Sequence, residues 1–262
     1  MLERAKEIVS DIAKETDRII LMHSLSGKDS IALLDLVAPH FKRVVCVYMY
    51  VVPNLDHIAP FHRYAARKYP NTEWMQVPHY GYYSWVKYGF MGVRRNPNQR
   101  LWKLSDIIDK IRERTGVEWA CLGFKQSDSL NRCLMLRSYK DGKESICWKG
   151  RKFYPLSTYK NADVLEYISR NHLKSPEAYG GGGQSCGCDV SDYWYLKYLE
   201  RNYPEDLQRI YGIFPRTQFI IKEYEQDKAG KQPGDENRKA AEKAQGDPAE
   251  CDAGDPAEPG AA

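Results

Sequence analysis

The strongest constraint on this chain is a repeated alternation: short apolar runs of strand length, each followed by a stretch with helical periodicity. Arg18–Ser24 (RIILMHS) suits a buried strand, and Ser30–Val37 carries helical spacing directly behind it. The pattern then repeats with a strand at Arg43–Tyr50, a helix around His57–Lys68 and a strand at Glu73–Val77. Further on come a helix at Leu104–Thr115, strands at Val117–Leu122 and Phe153–Leu156, and a helix at Asp163–Asn171. Leu2, Ala5, Ile8, Val9 and Ile12 predict an amphipathic helix ahead of the first strand. Alternation of this kind predicts an α/β fold in three layers, a mostly parallel twisted sheet with helices on both faces. Ligands of such sheets bind beyond the carboxyl ends of the strands, so the loops after Ser24, Tyr50, Val77 and Leu122 are the place to look.

Composition sets the boundaries of the folded part. From Asp227 to Ala262 there is no Leu, Ile, Val, Met or aromatic residue, which predicts a disordered low-complexity tail over 226–262 behind a domain of 1–225. The tail has a net charge of −4 within a whole-chain balance of +4, so the first 226 residues carry +8. Such a surplus suits a phosphate-rich ligand and equally suits a solvated basic surface. No apolar run reaches the ~18–20 residues of a membrane helix, and the charged N-terminus lacks the apolar core of a secretion signal. A cytoplasmic protein with no membrane partner is expected, its seven cysteines mostly reduced. None of the six histidines shows a metal-binding spacing, and no metal is assigned.

The segment Ser24-Leu25-Ser26-Gly27-Lys28-Asp29-Ser30 joins the first strand to its helix. Backbone amides and the positive helix end converge there, which favours an anion. Gly27 permits close approach, Ser24, Ser26 and Ser30 offer hydroxyls, and Lys28 adds a charge. The spacing is not that of a Walker A loop.

SLSGKDS resembles the PP-loop of the adenine nucleotide alpha-hydrolase-like superfamily, and more narrowly that of the phosphoadenosine phosphosulfate (PAPS) reductase family. Three later blocks are similar to that family in the same order. Gly123–Arg132 resembles its G-x-R-x-x-E-S-x-x-R segment, with Lys125 in place of arginine and Asp128 in place of glutamate. Lys152–Tyr159 resembles K-x-x-P-L-x-x-W. Pro176, Tyr179 and Gly180–Cys188 resemble the proline, tyrosine and glycine-rich stretch that ends in cysteine.

The resemblance implies an adenine nucleotide, PAPS or ATP, with Mg2+ if ATP is the substrate. Its phosphates would meet Ser24, Ser26, Gly27, Lys28, Asp29 and Ser30, and its adenine would lie near Tyr50. Lys125, Ser129 and Arg132 would clamp phosphate or sulfate oxygens, and Lys152, with Lys149 and Arg151, would meet a 3′-phosphate. It implies sulfonucleotide reduction, PAPS to sulfite and adenosine 3′,5′-bisphosphate with a thioredoxin-like reductant, or a related sulfur transfer. An ATP pyrophosphatase that adenylates DNA or tRNA for thiolation is the first alternative, and a nucleotide-binding module without catalysis the second.

The chain departs from the reductases at its end. Their ECGLH motif is absent, and Glu250-Cys251 is its only trace, so Cys251 reads as an accidental tail cysteine. The cysteine pairs that hold an iron–sulfur cluster in relatives are also missing, and no cluster is expected. The candidate catalytic residues are Lys28 and the thiols Cys186 and Cys188, which could carry a persulfide, form a strained disulfide or share a metal, or could serve the loop only as structural residues. His79–Arg100 interleaves four tyrosines, Trp85 and Phe90 with Lys87, Arg94, Arg95 and Arg100. That mixture suits a lid packed on the core, or a surface for nucleic-acid bases. Assembly as a homodimer stays open.

Overall fold

In the computed structural model, the described residues are 2–139, 145–180 and 188–229. The chain divides into two units, residues 1–221 and 222–262, and only the last part of one helix represents the second unit among the described residues. The expected tail of 226–262 opens inside a helix that continues to Ala229, and the rest of it, 230–262, lies outside the described residues.

Helix α1 (Glu3–Glu15) leads into strand β1 (Arg18–Met22), which is followed by α2 (Lys28–Val37) and β2 (Arg43–Tyr50). Next come α3 (Ala59–Lys68), β3 (Thr72–Pro78), α4 (Tyr80–Tyr88), α5 (Leu104–Thr115) and β4 (Ala120–Cys121). The chain continues through α6 (Leu130–Arg137), β5 (Ile146–Cys147), β6 (Lys152–Phe153) and α7 (Asn161–Arg170). It closes with α8 (Tyr193–Asn202), α9 (Pro204–Ile213) and α10 (Gln218–Ala229). Among the described residues one six-stranded sheet forms in the order β3-β2-β1-β4-β6-β5, parallel except for β5 against β6.

Strand residues point alternately to opposite faces, and the core divides accordingly. Ile19, Leu21, Val44, Cys46 and Tyr48 pack on one face with residues of α1, α2, α3, α7, α8 and α9. Ile20, Met22, Val45 and Val47 pack on the other with Ile107, Ile108 and Ile111 of α5 and Leu136 of α6. Both faces are covered, so the strands read as continuous Ile/Val-rich runs.

The sheet is uneven. β2 pairs with β3 over seven residues, whereas β4 and β6 pair over two. The longer strands expected at Val117–Leu122 and Phe153–Leu156 are cut short on the β6 side. Arg151 takes a left-handed backbone (φ 45°) just before β6, and Pro155, which has no amide to donate, follows just after it. No helix among the described residues is long and apolar enough to cross a membrane.

The segment His79–Arg100 folds partly into α4. His79 caps it, its Nδ1 accepting the Gly81 amide (3.1 Å), and Gly89 ends it in the left-handed region (φ 76°). Tyr82 and Trp85 meet the Phe214 ring at 6.3 and 5.8 Å, which places these aromatics against the core. Tyr88, Arg94 and Arg95 remain exposed.

Candidate functional site

β1 delivers His23 to the carboxyl edge of the sheet, and the turn Ser24–Gly27 leads into the N-terminus of α2. Leu25 is buried with a left-handed backbone (φ 62°), and its amide donates to His23 Nδ1 (2.9 Å). Burial, with the charge of His62 adding to it, lowers the His23 pKa to about 3, so this imidazole is neutral. Ser30 Oγ accepts the Ser24 amide at 2.9 Å and lies 2.9 Å from Ser24 Oγ, locking the two ends of the turn together. Gly27 stands at the head of the helix, and a Cβ there would lie 2.4 Å from Ser24 Oγ. The first amides of α2 have no acceptor within the helix. Ser26 is fully buried, and its Oγ, like Asp29 Oδ1, has no partner among the described residues. Orphan hydroxyl, free amides and absent Cβ together form an anion cradle.

A charge chain runs from this cradle to the next strand. Lys28 Nζ lies 3.1 Å from Asp29 Oδ2, and Lys125 Nζ lies 2.8 Å from the same oxygen and 3.0 Å from Asp128 Oδ1. Arg132 completes the chain at 2.7 Å from Asp128 Oδ2, its guanidinium 4.2 Å over the Phe124 ring. Three cations alternate with two carboxylates, leaving one positive charge over. Burial opposes ionisation of Asp128. The Lys125 amide and ammonium and the Arg132 guanidinium outweigh it and hold the carboxyl below its ordinary range.

Lys125 itself is 1% exposed, so its ammonium is a buried strut between the two segments. Ser129 caps α6, its Oγ accepting the Arg132 amide (3.3 Å). The third block docks beside the second, with the Gln126 amide donating to the Ser157 carbonyl (2.8 Å).

The structure therefore brings Ser24, Ser26, Gly27, Lys28, Asp29, Ser30, Lys125, Ser129 and Arg132 into one connected region. Tyr50 ends β2 at the same carboxyl edge. Lys152 does not join them. It opens β6 level with Ala120, and Ala120 in turn is level with Ile20, three residues before His23. Lys149 and Arg151, just before it, line a cavity with Arg112, Gly116 and Glu118 on the amino-terminal side of the sheet. Cys186 and Cys251 lie outside the described residues.

Cys188 is described, and it has company that sequence reasoning missed. Its Sγ lies 3.7 Å from His57 Nε2 and 3.9 Å from the Tyr48 hydroxyl, and His57 Nδ1 lies 2.8 Å from Asp206 Oδ2. His57 and Asp206 are 149 residues apart. Neither spacing nor motif marks them, and only packing α9 beside the loop after β2 unites them.

A model of the phosphoadenosine phosphosulfate reductase domain matches residues 20–191. Among solved structures, the U34-tRNA thiolase NcsA from Methanococcus maripaludis is 15% identical. That match covers 88% of this chain and 79% of NcsA at a TM-score of 0.44. The NH3-dependent NAD synthetase from Campylobacter jejuni subsp. jejuni NCTC 11168 is 12% identical, with 88% and 95% covered and a TM-score of 0.42. The comparison with curated proteins gives no match. NcsA carries a [4Fe-4S] cluster, and this finding corrects the expectation that a cluster has no place here. That expectation rested on missing cysteine pairs alone. Among the described residues no group of three or more His, Cys, Asp or Glu is arranged to hold a metal ion.

Proposed function

The chain belongs to the phosphoadenosine phosphosulfate reductase domain family, and from that premise we propose that it is an adenine-nucleotide enzyme of sulfur chemistry whose phosphates sit on the Ser24–Ser30 loop. The observation that carries the reading is the cradle itself. Gly27 lets the turn close so tightly that a Cβ would collide with Ser24 Oγ, Ser26 keeps a buried hydroxyl without a partner among the described residues, and the first amides of α2 have no acceptor within the helix. Lys28 supplies a charge that can follow a phosphate through a reaction, and Arg132 a planar donor pair at the far end of the chain of ions.

On this reading a thiolate attacks the sulfur of a bound sulfonucleotide and the sulfur–oxygen bond to the phosphate breaks. Adenosine 3′,5′-bisphosphate then leaves with that electron pair. A thioredoxin-like thiol releases sulfite from the S-sulfocysteine. The aromatic and basic segment His79–Arg100, with Arg94 and Arg95 exposed, supports a second reading, an ATP pyrophosphatase that adenylates a nucleic-acid acceptor for thiolation. There the same loop binds the ATP phosphates, and pyrophosphate is the leaving group.

Calorimetric titration with PAPS and, separately, with ATP and magnesium tests both readings, each followed by assay of sulfite and pyrophosphate. Sulfite from PAPS supports the first, and pyrophosphate from ATP supports the second. Binding of neither nucleotide removes both.

A further inference from the structure

We propose that Cys188, His57 and Asp206 form a base-assisted thiol site in which Cys188 is the nucleophile toward a neutral sulfur electrophile, a disulfide or a persulfide. The inference deepens the sulfur reading above and rests on it only for the class of substrate.

The geometry starts from Asp206. Burial works against its charge, but the amides of Asp56 and His57, donating at 2.8 and 2.9 Å, and the His57 ring hold its pKa below the ordinary value. An ionised carboxylate only accepts hydrogen bonds, so the proton of the neutral His57 ring sits on Nδ1, facing Asp206. Nε2 is then a bare lone pair, and the groups it meets are Cys188 Sγ at 3.7 Å and the Tyr195 hydroxyl at 3.5 Å. Asp206 thus fixes the tautomer and orientation of a base whose free nitrogen reaches a thiol, the arrangement that activates nucleophilic cysteines.

The surroundings choose the electrophile. His57 is fully buried, Cys188 half-buried, and the ring of Tyr203 lies 5.9 Å from the imidazole. The groups facing the pair are Tyr48 from β2, Tyr195 from α8 and Asp206 from α9, with Asp56 and Glu177 acting on the imidazole at longer range. Arg209 is occupied by Asp206 (2.7 Å) and Asp56 (2.7 Å). No cation among the described residues therefore contacts the thiol, and an anionic sulfonate gains nothing there. A neutral sulfur–sulfur bond suits this apolar, aromatic setting. The position also fits: Val47 pairs with Met22, so Tyr48 lies level with His23, the residue that opens the nucleotide loop.

In the step, His57 Nε2 takes the Sγ proton as sulfur forms its bond to the outer sulfur of the substrate. The substrate S–S bond breaks, and its electron pair leaves with the departing thiolate, which takes the proton back from the imidazolium. Cys188 is oxidised to the disulfide or persulfide level and the leaving sulfur is reduced, with no other reactant needed.

The probe is methyl methanethiosulfonate, a neutral sulfur electrophile, with labelling at each cysteine followed by peptide mass spectrometry. In the full chain, the labelling rate of Cys188 against pH should show an inflection below 6.5, where His57 loses its proton. His57→Gln should lower the Cys188 rate at pH 7 by about tenfold or more and abolish that inflection. Asp206→Asn, a change in a positioning residue, should move the inflection without removing it. A wild-type profile governed only by a thiol ionising above pH 9, or a His57→Gln profile identical to the wild type, overturns the proposal. Should His57→Gln fail to fold, the 15N titration of the His57 ring in the wild type decides, since it must share the kinetic inflection. Nucleotide titrations on the same samples separate failure of this site from failure of the loop.

Discussion

Replacing Lys125 by methionine keeps the side-chain stem and removes only the ammonium, so it isolates the strut between Asp29, at the start of α2, and the Gly123–Arg132 segment. In the native protein that ammonium touches Asp29 at 2.8 Å and Asp128 at 3.0 Å while 1% exposed. Removing one member of a buried ion pair costs roughly 3–5 kcal/mol because the remaining charge is left uncompensated. Here the carboxylates keep other partners, Lys28 for Asp29 and Arg132 for Asp128, and both retain some contact with solvent. The expected loss is therefore lower, about 2–3 kcal/mol at pH 7.

The pH dependence supplies a second check. Asp128 has a carboxyl pKa held below its unfolded value, so its contribution is present above about pH 4 and is lost as the pH falls through the folded pKa. Lys125→Met removes part of that contribution. The stability gap between wild type and variant should then close on acidification. Urea unfolding of both proteins from pH 7 to pH 3 measures it. A gap under about 0.5 kcal/mol at pH 7, the range of ordinary surface substitutions, or a gap that stays constant with pH, would refute the account.

Lys28→Ala should lower nucleotide affinity by about tenfold or more, equivalent to about 1.4 kcal/mol, while the urea midpoint moves little; calorimetry beside an unfolding curve checks both. Gly27→Ala should do the same by a different route: its backbone angles (φ −75°, ψ 137°) suit alanine, but the new Cβ displaces Ser24 Oγ from Ser30. His23 is neutral in the fold and protonates readily once unfolded, so it makes stability fall with acidification from about pH 6.5 toward 3, by up to about 1.4 kcal/mol per pH unit. His23→Gln should flatten that part of the curve. Truncation after Gln226 should leave the thermal midpoint of the preceding residues unchanged, and a drop of several degrees would show that the tail supports the fold.

The strands β1, β2 and β3 and the helices α2, α3, α5 and α7 were legible because their apolar residues recur with one clean period each. Leu104–Thr115 is a helix over the expected residues, ended by Gly116 in the left-handed region. The place of the Ser24–Ser30 loop was legible for a local reason: its seven residues are consecutive, and its geometry follows from the strand and helix on either side. Helix α4 was not, since its aromatic residues fall on all sides and its cap is a histidine. Helices α8 and α9 follow the glycine-rich stretch and were not read at all. The Lys125 substitution could be read for its charge but not for its role, because only the fold shows both Asp29 and Asp128 on its ammonium. His57 and Asp206 lie beyond any local reading, since their relation exists only once distant helices pack.

The segment that matches the family ends at residue 191, yet the groups that orient and flank the His57 ring, Tyr195 and Asp206, come after it. The Ser24–Ser30 loop lies wholly inside the matched segment, and the groups that orient and flank His57 come from helices outside it. On the reading proposed above, the phosphate-binding loop and the carboxylate that orients the base of the thiol thus lie on opposite sides of the boundary at residue 191. A change confined to α8 and α9 would then alter the surroundings of the thiol's base while leaving every residue of the Ser24–Ser30 loop untouched.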